Sequence, residues 1–71
     1  MAKAKKQYFL FIIGKDTVYL TLEESKKALD YIAAEMDDYI IGLKAVEFDL
    51  DLVDRVDQER KKSKLYKLFM L

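Results

Sequence analysis

The closing stretch, residues 54–71, reads DRVDQERKKSKLYKLFML, and its reading decides the fold. Its first ten residues hold a single apolar side chain, Val56, while the last eight are dominated by leucine and aromatic residues. An amphipathic helix needs an apolar residue every three or four positions, and residues 57–64 contain none, so a helix there would have no stripe to dock for about two turns. The polar part is therefore expected to be a long loop or frayed turn, and the aromatic tail KLYKLFML a strand. The competing reading makes residues 51–71 a second helix, which could cover part of the sheet itself.

Working back toward the start, residues 8–14 are YFLFIIG, an apolar run closed by glycine. Successive strand residues point to opposite faces, so a run this apolar is a strand with both faces in need of cover. GKDT then reads as a tight turn in which Gly14 takes a backbone conformation costly for other residues, and TVYLTL as a second strand. Thr21 and Glu24 have the S/T-x-x-E spacing of a capping box, which starts a helix by satisfying two backbone donors. Leu22, Leu29, Ile32, Ala33, Met36 and Ile40 form its apolar stripe at 100° per residue, with Tyr31 on the polar side and Gly42 placed to end it. From Leu43 onward Val46, Phe48, Leu50 and Leu52 alternate with Glu47, Asp49 and Asp51, the pattern of a strand.

The expected fold is α+β: a four-stranded sheet in ββαββ order with one amphipathic helix packed on one face. Residues 1–6 form a basic leader and residues 7–71 a single domain. One helix cannot cover both faces of a sheet. The apolar side chains left over, drawn from Tyr8, Leu10, Phe11 and Ile12 on the first strand and Tyr66, Leu68, Phe69 and Met70 at the end, mark a candidate interface. The simplest cover is a second copy of the chain.

Composition narrows the chemistry. Cysteine and histidine are absent, which removes disulfides, thiolate and imidazole metal sites, and the usual Cys and His catalytic groups. DLDLVDRVD has closely spaced aspartates but lacks the central glycine and the terminal glutamate of a calcium loop, and GKDT lacks the rest of a phosphate loop. Asp37 and Asp38 are adjacent on the expected helix and point different ways, so they do not make an acid–base pair. The sequence therefore points to no cofactor, no metal and no catalysis. Nothing in it approaches the roughly 20 apolar residues of a membrane span, which leads to the expectation of a cytoplasmic protein.

The formal charge is zero but the charges are segregated. Residues 1–15 carry four lysines and no acid, residues 30–59 carry ten acids and two bases, and residues 60–71 carry five bases and no acid. Such a layout can orient partners or pair copies head to tail. Lys5, Lys6, Arg60, Lys61, Lys62 and Lys64 frame aromatic residues in the manner of single-stranded nucleic-acid binders, which makes nucleic acid the alternative partner. Glu47, Asp49 and Asp51 would put three carboxylates on one face of a strand at about 7 Å spacing, a candidate acidic contact. The function expected is a small non-catalytic interaction module, homodimeric through an apolar sheet face or edge, that binds and regulates or inhibits a partner protein.

Overall fold

A computed structural model of the chain describes residues 4–36 and 38–70. Strand β1 (Lys5–Ile13) turns into β2 (Asp16–Leu20), helix α1 (Leu22–Glu35) follows, and β3 (Ile41–Asp49) completes the sheet. A single 3₁₀ turn (Leu50–Leu52) leads to α2 (Val53–Lys61) and α3 (Lys64–Met70). The sheet has three strands in the order β2-β1-β3, with β1 antiparallel to both neighbours. The expected four-stranded ββαββ sheet is thus corrected: the tail is two helices, and the molecule is α+β with three helices.

The local signals of the first half are realised. Gly14 adopts φ 62° in the β1–β2 turn, the left-handed region where a side chain would be strained. At the start of α1 the Thr21 hydroxyl accepts from the Glu24 amide at 3.3 Å, and the Glu24 carboxylate accepts from the Thr21 amide at 2.9 Å. The other end departs from expectation. The helix stops at Glu35 with Met36 as its cap, and Gly42 lies inside β3, where it pairs with Ile12. A Cβ on Gly42 would sit 3.2 Å from that of Ile12, so close strand packing accounts for the glycine, not a helix end. β3 itself ends at Asp49, and Leu50 and Leu52 belong to the 3₁₀ turn. Lys5 and Lys6 lie in β1, so the strand begins inside the expected leader.

Strand register settles which parity of β1 faces the helices. Phe11 and Ile13 point toward α1 and join Val18 and Leu20 of β2, Ala28 and Ile32 of α1, and Leu65 and Phe69 of α3 in one buried cluster. The buried line of α1 runs through Ser25, Ala28 and Ile32, rotated from the expected stripe, so Leu22 and Leu29 are exposed. Tyr31, expected on the polar side, packs edge-on against Phe69 with ring centroids 5.7 Å apart. The cause is α3: a second helix beside α1 draws the buried line toward itself.

Candidate functional site

Arg60 explains how a helix with only two apolar residues, Val53 and Val56, docks. Val53, Val56, Asp57 and Arg60 are the inward positions of α2, at helical spacing, and two of the four are charged. The Arg60 guanidinium, 7% exposed, donates to Asp57 at 2.8 Å and to Glu24 in the first turn of α1. It also lies 5.5 Å from the ring centre of Tyr8 and 5.4 Å from that of Tyr66, within cation–π range. Tyr8 donates its hydroxyl to Asp57 at 3.0 Å and is itself buried. By alternation Tyr8 belongs to the sheet face opposite Phe11, whereas Glu24 stands on the helix that covers Phe11. Arg60 therefore ties the two sides of the sheet together around the end of β2.

The electrostatics of this knot are internally consistent. The hydrogen bond from Arg60 holds the Asp57 carboxyl below its ordinary range, with that from Tyr8 adding to the effect and burial working against it. Burial pulls Arg60 down, but its bonds to Asp57 and Glu24 outweigh that and leave it raised. Burial, with the hydrogen bond to Asp57 adding to it, pushes the Tyr8 phenol above its ordinary value. Each charged group has its partner here, and the described residues include no buried side-chain polar atom lacking one.

The sequence-nominated interface residues divide. Tyr8, Phe11 and Phe69 are consumed inside the chain. Leu10, Tyr66 and Met70 are half-buried, and Ile12 and Leu68 are exposed. On the face opposite α1 and α3, where α2 reaches Tyr8, the rings of Tyr8, Tyr19 and Phe48 form an edge-to-face aromatic cluster, with centroids 5.8 Å apart for Tyr8–Phe48 and 5.1 Å for Tyr19–Phe48. The chain thus covers much of that face itself. Of the nominated bases, Arg60 is buried, Lys6 lies 5.2 Å from the ring centre of Tyr8, and Lys5 pairs across β1–β3 with Asp49. Lys61, Lys62 and Lys64 are exposed, Lys62 at 3.8 Å from Glu59. Of the aromatic rings between these bases, Tyr8, Phe11 and Phe69 are buried and Phe9 and Tyr66 half-buried. Of the nominated acids, Glu47 and Asp49 remain on one face of β3, while Asp51 is exposed in the 3₁₀ turn. Asp38 is exposed beyond the end of α1, and Asp37 lies outside the described residues.

Two surfaces remain unsatisfied. The first is the β3 side of the sheet. The β2 edge is closed, because α2 and α3 lie against β2 and Ser63 donates its hydroxyl to the Thr17 carbonyl at 3.1 Å. Among the described residues no strand pairs with the outer edge of β3, which is nine residues long. On its helix side Leu43 is 52% exposed and Ala45 is exposed. At 100° per residue Leu22, Leu29 and Ala33 fall on the flank of α1 opposite Tyr31, that is, away from α3 and toward β3. The open strand edge and the apolar strip of α1 thus both lie away from α3.

The second is an open groove of about 730 Å³ at the β1–β2 turn. Ile13, Met36, Leu65 and Leu68 line its apolar part, and Lys15, Lys64 and Lys67 its rim. Sequence reasoning missed this grouping because Lys15 and the α3 lysines come together only if the tail is a helix. Among the described residues there is no cluster of acidic side chains able to hold a metal ion and no helix long and apolar enough to cross a membrane. The chain matches no protein-family model, no curated protein and no solved structure.

Proposed function

We propose that the chain is a small non-catalytic association module that pairs with a second copy through β3 and, as a dimer, engages and regulates a partner protein in the cytoplasm. The observation that carries this reading is the open nine-residue edge of β3, with Leu43 exposed on it and Leu22 and Leu29 exposed on the flank of α1 turned away from α3. Unpaired strand edges are normally blunted or covered, and antiparallel addition of an identical strand satisfies the backbone groups of both at once. A two-fold axis through Ala45 sets Leu43 opposite Glu47 and Lys44 opposite Val46, so no like charges face each other. An axis through Lys44 or Glu47 would place like charges in contact.

Magnitudes favour a reversible dimer. Covering the exposed half of three leucines in each copy supplies roughly 6 kcal/mol gross. That is comparable to the 4–15 kcal/mol estimated as the cost of association, so new backbone hydrogen bonds decide the balance. The affinity expected is micromolar to submillimolar. Sedimentation equilibrium over that range, at high salt, should give the mass of two chains at the upper end for the wild type. Leu43→Glu, a change at an exposed position that sets a like charge opposite Glu47 in this register, should give the mass of one chain with the same thermal unfolding. An unchanged mass for a folded Leu43→Glu protein, or a wild type that stays single throughout, contradicts the reading.

A further inference from the structure

The lysine-rimmed groove and the acidic 3₁₀ turn lie at opposite ends of the molecule, and their surfaces are complementary. Ile13, in the groove, and Lys5, paired with Asp49 just before the turn, are the two ends of β1, about 27 Å apart along the strand. The groove offers apolar side chains from Ile13, Met36, Leu65 and Leu68 under three lysines, against one aspartate, Asp16, among its described lining residues. The turn offers the reverse. Leu50 and Leu52 are 54% and 42% exposed, and Asp51 and Asp54 stand beside them, also exposed. Leucines flanked by carboxylates make a surface that a basic, apolar recess complements in both polarity and charge.

We infer that the groove of one copy receives the Leu50–Asp54 knob of a second copy, giving an end-to-end contact separate from the β3 edge. The occupant is identified by matching charge and matching polarity on surfaces of the same chain. Because the two patches differ and sit at opposite ends, the contact is heterologous: it leaves a free groove at one end and a free knob at the other, and so propagates. Lysine–carboxylate pairs at its rim are exposed, so the contact should be weak and suppressed by salt.

The test uses Leu43→Glu protein throughout, which opposes pairing through β3 without touching either end. At low salt its weight-average mass should rise with concentration past that of one chain, and at high salt it should return to one chain. Adding Lys64→Glu with Lys67→Glu should hold it single at all concentrations, and adding Asp51→Lys with Asp54→Lys should do the same. All four side chains are exposed, so circular dichroism and thermal unfolding should match the parent. In an equimolar mixture of the two variants the intact knob of one meets the intact groove of the other and the two reversed surfaces match each other in charge, so the rise of mass with concentration should return at low salt. A Leu43→Glu protein that is single at low salt, a variant that still assembles alone, or a mixture that stays single would each overturn the inference. Failure of the β3 reading would show instead as salt-resistant association insensitive to Leu43→Glu.

Discussion

Arg60 does the work that an apolar side chain does in an ordinary helix. It brings a methylene stem and a planar cation between two tyrosine rings and uses Asp57 and Glu24 to discharge the cost of burial. Removing one partner of such a set leaves the others unpaired, and because Glu24 and Asp57 are partly in contact with water the loss falls at the low end of the usual range. Arg60→Met should therefore lower unfolding stability at neutral pH by about 2–3 kcal/mol, measured by denaturant unfolding. Its pH dependence carries the sign of the Asp57 shift. A carboxyl held below its ordinary value of 3.8 adds stability above that pH and loses it as the pH falls through the folded-state value. With Arg60 gone the main cause of the shift is gone, so the gap between wild type and Arg60→Met should narrow below about pH 3.8. A gap that is constant down to pH 2 would mean that Arg60 acts through packing alone.

Among the elements, those whose signals are local were legible and those that depend on a tertiary partner were not. Gly14 in its turn, the Thr21–Glu24 box and the apolar β1 run each need only their neighbours in sequence, and all are realised. The α1 stripe was found but rotated, since its buried line is set by α3, which the sequence reading had made a strand. Residues 54–63 failed for a more specific reason: the inward positions are Asp57 and Arg60, and a pattern scored on hydrophobicity treats both as outward. The tail did carry a signal, because Leu65, Tyr66, Phe69 and Met70 recur at one-, four- and five-residue offsets, which suits a helix and not a strand. Of the candidate surfaces, an apolar excess in need of cover was legible, but on β1 and the tail and not at the β3 edge, and the lysine groove was not legible at all. If α3 is placed as described, Phe69→Ala should cost about 3 kcal/mol and Leu68→Ala well under 1 kcal/mol, in urea unfolding of each variant. Equal costs at the two positions would contradict the helical tail.

For the whole molecule, the pattern is a small sheet closed on one side and open on the other. α2 and α3 wrap β2, Arg60 fastens the wrap around its end, and β3 is left with a free edge carrying Leu43, with the flank of α1 turned away from α3 also exposed. A chain of 71 residues without cysteine buries only a thin core. The same geometry places lysines at one end and exposed carboxylates at the other of a body 44 Å long, which would give the proposed association a direction as well as an edge. The most direct test is amide hydrogen exchange along Ile41–Asp49 at low and high protein concentration, at salt high enough to suppress end-to-end contacts. Pairing through β3 predicts that the alternate amides not bonded to β1 exchange freely in dilute protein and become protected as the concentration rises. If those amides exchange freely at a concentration where the mass is that of two chains, the copies meet through another surface and the β3 account is wrong.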